Sequence, residues 1–305
     1  MLGQNVSRRE YAAILRRGLA DNEPLLAISP EDTSRCYNLR PYLISHTLQD
    51  CDLFSLQSIC SLARRLPAQK VSIRRGKIAS DTEIESSFKS DRDISIDDVA
   101  DGLESRGLYL YVENPERDPV YRDVMLRVLA NIAAGVRAVD GPITWYSAYF
   151  FVSSAESVTP YHMDREMNYL LQIAGTKNVR LWDQASSEVM TEVEKDRLLS
   201  YVGERPGIRP EVDRISSSHT LTPGVGIHQP FIAPHLVRTA SSLSISLAFT
   251  YRTTHSDRLT HAHHFNHLVR KMGLHPRNAG SQGLWNQMKA MAYRGYSAVR
   301  GHGAH

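Results

Sequence analysis

The middle of the chain carries the feature that most constrains the fold, a succession of β-strand patterns. Apolar and polar residues alternate over 242–251 (SLSISLAFTY), which is typical of a strand that buries one face. The segments 143–152, 169–173 and 178–182 also favour strands because they are rich in aromatic and β-branched residues. The residues 174–177 (AGTK) between the last two predict a hairpin. We therefore expect a mostly antiparallel β region.

Helical patterns lie on both sides of this region. Before it, helices are predicted at 7–20, 54–65 and 118–136, mixed with short strands. After residue 256 the chain is predicted to be helical, with a break at 273–283. This order indicates a double-sheet barrel with helical flanks. We expect three parts, which are an N-terminal α/β region at 1–140, a β core at 141–255 and C-terminal helices at 256–305.

The composition is that of a globular protein. The chain has 305 residues, 42% of them hydrophobic, and a net charge of +3, which is too small to argue for nucleic acid. The charge is uneven, because 256–305 carries seven Lys/Arg and one Asp, a net +6, which leaves −3 for the rest. This tail is either a solvated helical face or a docking surface for an acidic partner.

The three cysteines and the start of the sequence bear on the compartment. Cys36, Cys51 and Cys60 form no C-x-x-C pair, so neither a disulfide framework nor a zinc ribbon is predicted. No apolar run approaches about 18–20 residues, and the first 20 residues lack the apolar stretch of a signal peptide. We expect a cytoplasmic protein without a membrane partner.

The segment 159–164 (TPYHMD) carries the candidate chemistry. On extended backbone His162 and Asp164 point the same way, so an imidazole and a carboxylate can reach one ion. A second histidine would complete a 2-His-1-carboxylate triad, which leaves positions on Fe(II) open for a co-substrate and O₂. Two histidines downstream are candidates, His235 just before the strand 242–251 and His228 just after a turn.

The run 162–177 (HMDREMNYLLQIAGTK) resembles the cupin-like, JmjC-type Fe(II)/2-oxoglutarate oxygenases. In that family T-P-x-H-x-D is followed by N and then by Q-I-x-G-x-K, at the spacing seen here. A downstream P-G turn, a P-x-H-x-V-like stretch and an S-x-S-x strand are also similar. The likeness covers about 145–252, and it is greatest to the asparaginyl hydroxylase that inhibits hypoxia-inducible factor.

The resemblance implies a fold and a set of roles. The β core would be a double-stranded β-helix of the cupin or jelly-roll type. Fe(II) would be held by His162, Asp164 and His235, which is preferred over His228 because the spacing from Val237 to Ser244 matches the family. Co-substrate 2-oxoglutarate would be bound by four residues: Lys177 and Thr159 at its C5 carboxylate, and Asn168 and Gln172 along its pocket. An ammonium suits one buried carboxylate because it removes the cost of an unpaired charge.

The expected function is that of an Fe(II)- and 2-oxoglutarate-dependent dioxygenase. It would consume O₂, hydroxylate a protein side chain or a small polar molecule, and release succinate and CO₂. Two alternatives stay open, a cupin-like metal-binding sensor without turnover and an interaction module with a relic site. A sensor needs no anchor for a co-substrate, so the Lys177 and Thr159 pair argues against it.

Two further segments have candidate roles. The C-terminal helices would form a homodimer, as the resemblance implies, through apolar faces around Leu259 and Trp285. His263 and His267 lie at i and i+4, a spacing that can bind zinc, but a polar helix that packs on a partner subunit is preferred. In the aromatic segment before the motif, Tyr149 and Phe151 lie on one face and Phe150 on the other.

Overall fold

The computed structural model describes residues 3–20, 23–87, 89–280 and 283–299. Its helices are α1 (Arg8–Ala20), α2 (Pro30–Cys36), α3 (Leu56–Arg65), α4 (Ile84–Ser87), α5 (Ile96–Gly102), α6 (Pro119–Asp140), α7 (Glu192–Leu199), α8 (Thr254–Lys271) and α9 (Leu284–Val299). Its strands are β1 (Gln4–Asn5), β2 (Leu26–Ala27), β3 (Tyr42–His46), β4 (Val71–Arg75), β5 (Leu108–Glu113), β6 (Ile143–Ser153), β7 (Val158–His162), β8 (Met167–Ala174), β9 (Lys177–Leu181), β10 (Ser217–Leu221), β11 (Val225–Gln229), β12 (His235–Thr239) and β13 (Ser244–Thr253).

The strands form two antiparallel sheets that face each other. The large sheet has the order β2-β3-β11-β8-β13-β6-β5-β4, with β1 paired to β6, and the small sheet has the order β10-β9-β12-β7. This is the double-stranded β-helix with helical flanks that the sequence predicts. Strands β1 to β5 come from the N-terminal 140 residues and extend the large sheet. The boundaries at 140/141 and 255/256 stay predictions.

Two apolar clusters separate the inside of the barrel from its outside. The inner cluster takes residues from both sheets, including Leu170 and Ile227 from the large sheet and Val179 and Val237 from the small one. Tyr149 belongs to this inner cluster and Phe151 packs against it, while Phe150 lies in the outer cluster with the helices. The aromatic residues therefore alternate across the sheet as predicted, with Tyr149 and Phe151 on the inner face.

The predicted hairpin at 174–177 is wrong. Strands β8 and β9 do not pair, because β8 lies in the large sheet between β11 and β13 whereas β9 lies in the small sheet. The turn instead leads from one sheet to the other. Gly175 has φ +68°, and a Cβ atom there would lie 2.0 Å from the carbonyl oxygen of Leu243, so only glycine fits this corner.

The helix α6 covers the outer face of the large sheet. Asp118 caps it by accepting from the Val120 N–H, Pro119 occupies its first turn, and Gly141 follows its end with φ +79°. Its buried face supplies Met125, Val128 and other apolar residues to the outer cluster. The sequence predicted this helix correctly, although it continues four residues beyond 136.

The C-terminal helix α8 packs on α7 within the same subunit. Asp196 on α7 is fully buried and accepts from His263 Nδ1 at 2.7 Å and from Arg270 Nε at 2.8 Å. Thr191 caps α7 at its start by accepting the Glu194 N–H. The helix α9 packs against α8 after the predicted break. None of the helices among the described residues is both long and apolar enough to cross a membrane.

Candidate metal centre and co-substrate pocket

Three predicted ligands meet at one end of the small sheet. His162 is the last residue of β7 and His235 the first of the neighbouring β12, and the two are paired in register. Asp164 follows β7 by two residues, and its carboxylate oxygens lie 3.7 Å from His162 Nε2 and 3.9 Å from His235 Nε2. One ligand atom from each residue lies within 4.8 Å of the others, so the group could hold a metal ion.

The outer hydrogen bonds of both histidines prepare them for a metal. His162 Nδ1 donates to the Pro160 carbonyl at 2.8 Å, and His235 Nδ1 donates to the Ala233 carbonyl at 3.0 Å. A proton on Nδ1 leaves the Nε2 lone pair free, and the bond also fixes the ring orientation. Both Nε2 atoms therefore face Asp164 as metal ligands would.

The electrostatics of the group favour the metal-binding protonation states. Burial, together with the neighbouring His235, lowers the pKa of His162 to about 3, so its imidazole is neutral. Burial alone would raise the pKa of Asp164, but His162, His235 and Arg205 lower it below its usual range. A neutral imidazole beside an ionised carboxylate is the form that coordinates a divalent cation.

The rival ligand His228 lies elsewhere. It sits on the outer face of β11, where its ring stacks on Tyr42 at 4.9 Å and contacts Tyr37 and Tyr169. Both ring nitrogens are buried, and neither has a hydrogen-bond partner in the part of the chain that the structure describes. The strand alternation explains this, because Ile227 on the inner face forces His228 outward.

Lys177, at the start of β9, is a buried ammonium. It is 2% exposed, its Nζ lies 5.6 Å from the Phe151 ring, and no carboxylate of a described residue pairs with it. Burial and the nearby Arg74 guanidinium lower the pKa of Lys177 to about 7. A buried cation in this state is stabilised by an anion, which is the role that the sequence predicts for Lys177.

Thr159 is joined to two residues that sequence reasoning missed. Its hydroxyl lies 3.1 Å from the Tyr109 hydroxyl, and the Arg74 guanidinium stacks over the Tyr109 ring at 4.0 Å. Arg74 is 7% exposed and donates to the Val158 and Arg75 carbonyls. The signal for both residues was weak, because strands β4 and β5 lie outside the region of family resemblance.

Asn168 and Gln172 both lie on β8, but they differ in what they can offer a ligand. Gln172 donates to Ser244 Oγ and to the Ala174 and Gly175 carbonyls, and it accepts from Ser246. Its amide is thus used to hold the corner at Gly175 that leads to Lys177. Asn168 donates to Gln229 Oε1 at 2.7 Å, while its Oδ1 has no partner among the residues described.

Charged side chains lie near the metal group. Arg205 and Arg165 are close enough to Asp164 to help lower its pKa, and Arg205 is ion-paired with Glu85. Arg165 stacks over the Tyr201 ring at 4.0 Å. Burial and the neighbouring Asp164 raise the pKa of Glu166 to about 7. The surroundings of Asp164 therefore contain two arginines, which the sequence did not predict.

The histidine-rich segment of α8 has a structural role among the described residues. His263 binds Asp196, and His264 Nε2 lies 2.6 Å from the Leu199 carbonyl oxygen. Among the residues that the structure describes, the one group suited to a metal is that of His162. The segment packs on α7 of its own subunit, which supplies these acceptors, and its packing on a partner subunit stays a prediction.

Comparisons with known proteins give structural matches but no family assignment. No protein-family model matches the sequence, and no curated protein is significantly similar to it. The protein resembles a crystal structure of the Escherichia coli ribosomal oxygenase YcfD, with 14% identity, a TM-score of 0.43, and coverage of 90% of this protein and 68% of that one.

A second structure of the same E. coli protein is a complex with cobalt and 2-oxoglutarate. Its identity is 15% and its TM-score 0.43, with coverage of 91% of this protein and 68% of that one. The identity is too low for these structures to define what this protein does. The likeness to the asparaginyl hydroxylase that inhibits hypoxia-inducible factor stays a prediction.

Proposed function

We propose that this protein is an Fe(II)- and 2-oxoglutarate-dependent dioxygenase. The observation that carries the proposal is the shared location of two unlike features on the small sheet. One is the group of His162, Asp164 and His235, and the other is the buried ammonium of Lys177, with which no carboxylate among the described residues pairs. A metal-binding sensor requires the first feature alone, whereas an oxygenase of this class requires both.

The residues fit the metal and the co-substrate. Two imidazoles and one carboxylate are the donor set of a facial triad, which suits Fe(II) and leaves coordination positions open. Lys177 and Thr159 would hold the distal carboxylate of 2-oxoglutarate, with Arg74 adding positive charge nearby. When bound, Fe(II) and 2-oxoglutarate supply an oxidative decarboxylation with O₂, which yields succinate, CO₂ and an oxygen atom for a substrate C–H bond.

The protein's own residues orient and shield this chemistry. The Pro160 and Ala233 carbonyls hold the two imidazoles in one orientation. Tyr111 and Tyr149, whose rings stack at 5.4 Å, form an apolar wall inside the barrel and keep bulk water out. This inner wall would protect the reacting centre, and the arginines near Asp164 would attract an anionic group of the substrate.

The test is an anaerobic titration of the metal-free protein with Fe(II) and then 2-oxoglutarate, followed by the visible charge-transfer band of chelated Fe(II). We expect a band that needs both additions and that disappears in Asp164→Ala. Asp101→Ala, a change at an exposed residue of α5, serves as the matched control and should keep the band. Iron binding without a band would favour the sensor, and no iron binding would leave an interaction module.

The proposal also covers the substrates and the compartment. The substrate is a protein side chain or a small polar molecule, the second substrate is O₂, and the protein acts in the cytoplasm.

We also propose a homodimer through α9. Leu284, Trp285, Met288 and Met291 lie on its outward face and are 70%, 58%, 52% and 72% exposed. The face that α9 buries instead contains the polar residues Asn286, Lys289 and Ser297.

A further inference from the structure

A small cleft lies beside the metal group and is not used by the chemistry described so far. Its volume is about 160 Å³, and its walls include Arg165, Glu166, Tyr201 and Arg252. Glu166 lies close enough to the proposed ligand Asp164 for the two carboxylates to repel each other, so this wall of the cleft is near the metal group. A cavity of this size holds a group of roughly six heavy atoms, about the size of a benzene molecule.

Two charged groups of this cleft, Glu166 and Arg165, have no ion-pair partner among the described residues. Glu166 is 5% exposed and accepts the Arg165 backbone N–H at 3.0 Å, but no cation among the described residues lies within 4.0 Å of its carboxylate. The Arg165 guanidinium donates to the Leu198 carbonyl at 2.6 Å and has no carboxylate within 4.0 Å among the same residues. Buried charges in folded proteins are usually paired, so the Glu166 carboxylate is an exception, while the half-buried Arg165 has the Tyr201 ring as its neighbour.

Arg252, at the end of β13, is the third of these groups. Its Nε lies 3.7 Å from Asp257 Oδ1, a loose ion pair beyond hydrogen-bond length, and it is buried with no hydrogen-bond partner among the described residues. The guanidinium lies 5.0 Å over the Trp145 ring. Asp257, which also lines the cleft, in turn accepts the Thr144 hydroxyl at 2.6 Å. The cleft therefore offers two cationic groups and two carboxylates, of which Glu166 has no cation within 4.0 Å among the described residues.

We propose that this cleft binds the ammonium and carboxylate of a free α-amino acid, and that this amino acid is the substrate of the oxygenase. The ligand carboxylate would pair with Arg252 and Arg165, and its ammonium with Glu166. A ligand with one charge would leave the opposite charge of the cleft unpaired, whereas a zwitterion satisfies both. This inference rests on the proposed function.

The size of the cleft determines where the rest of the substrate lies. The charged end of an amino acid fills most of the volume, so its side chain extends out of the cleft beside Asp164.

The reaction balances as a hydroxylation. One C–H bond of the substrate becomes C–OH with one oxygen atom of O₂, and the other atom enters succinate as 2-oxoglutarate loses CO₂. Substrate and co-substrate are each oxidised by two electrons, and O₂ is reduced by four.

The first experiment measures binding without metal or co-substrate. The 20 L-amino acids are titrated one at a time into the metal-free protein by calorimetry. Each amino acid that binds is then compared with its deaminated acid and with its decarboxylated amine. We expect at least one amino acid to bind, and both analogues to bind about ten- to a hundredfold more weakly. The absence of binding by every amino acid, or equal binding of an analogue, would overturn the proposal.

Variants then locate the site. Glu166→Gln and Arg252→Gln should each weaken binding of the amino acid about tenfold or more, while Arg258→Gln on the exposed side of α8 should not. If Arg252→Gln lowers the melting temperature, binding is measured instead with Arg252→Lys, which keeps the charge. Equal affinity of all the variants would place the amino acid elsewhere.

Turnover separates this inference from the proposed function. With Fe(II), 2-oxoglutarate and O₂, the bound amino acid should raise succinate production several-fold and gain one oxygen atom by mass spectrometry. Amino-acid binding without any Fe(II) and 2-oxoglutarate charge-transfer band would overturn the oxygenase assignment and leave the binding site standing. A band without amino-acid binding or stimulation would overturn the substrate and leave the oxygenase standing.

Discussion

At the scale of single residues, Lys177 and Asp164 show that the same sequence pattern has different energetic consequences on the surface and in the interior. A hairpin lysine and an H-x-D pair are common on protein surfaces, where water solvates their charges. Here Lys177 is 2% exposed and Asp164 lies between two buried imidazoles. Their burial makes each charge costly unless a ligand pairs with it, and this cost makes ligand binding depend on charge and pH.

The first prediction concerns pH. In the free protein Lys177 has a pKa of about 7, whereas a bound carboxylate would raise that pKa again. Binding of 2-oxoglutarate above pH 7 must therefore take up a proton. We expect the dissociation constant to rise about fivefold from pH 7 to pH 8 and to level off below pH 6. Anaerobic calorimetry in buffers of different ionisation enthalpy checks this, and a flat profile with no proton uptake would contradict it.

The second prediction removes the charge. Lys177→Met should weaken 2-oxoglutarate binding at least tenfold at pH 6.5 because one charge-assisted hydrogen bond is lost. Fe(II) binding should stay unchanged, since Lys177 is not among the ligands. Lys271→Met, at the exposed end of α8, is the control. An unchanged 2-oxoglutarate titration would remove Lys177 from the pocket.

At the scale of elements, α7 and α8 are held together by one buried charge. Asp196→Ala would leave His263 and Arg270 without their carboxylate, so we expect a loss of about 3 kcal/mol in the free energy of unfolding. Urea denaturation measures it, and Asp213→Ala tests a surface pair with Arg180 that should contribute little. Similar effects of the two changes would show that burial of Asp196 is unimportant.

The elements also show what the sequence could predict. The strands β6, β8, β9 and β13 were found because alternation and β-branched residues are local signals. The pairing of β8 and β9 was predicted wrongly, because the turn at Gly175 has the composition of a hairpin but joins two sheets. Strands β10 and β11 were missed, because their short patterns are interrupted by polar residues and a turn. Tertiary contacts decide such features, and local patterns do not contain them.

The residues of the candidate site also divide into those that the sequence could predict and those that it could not. The metal group was predictable because His162 and Asp164 are two residues apart, and the family spacing indicated His235. Arg74 and Tyr109 were not, since they reach the pocket only after β4 and β5 join the large sheet. The choice against His228 required its neighbours in the sheet, which place it outside the barrel.

At the scale of the whole molecule, the outward face of α9 predicts an oligomer. A double change of Trp285→Glu and Met288→Glu should convert a dimer to a monomer, because charged residues would interrupt an apolar contact. Light scattering after gel filtration measures the mass. Val120→Glu alters an equally exposed apolar residue on α6 and should have no effect. A monomeric wild-type protein would contradict the prediction.

The division of the barrel into two unequal sheets has a consequence for how the molecule opens. Strands β7, β9 and β12 belong to a four-stranded sheet and carry His162, Lys177 and His235, with Asp164 two residues beyond β7, while the larger sheet is covered by helices. Binding of iron and co-substrate joins these three strands to each other. Amide hydrogens of the small sheet should therefore exchange quickly in the metal-free protein and slowly in the loaded one, while those of β6 and β13 change little.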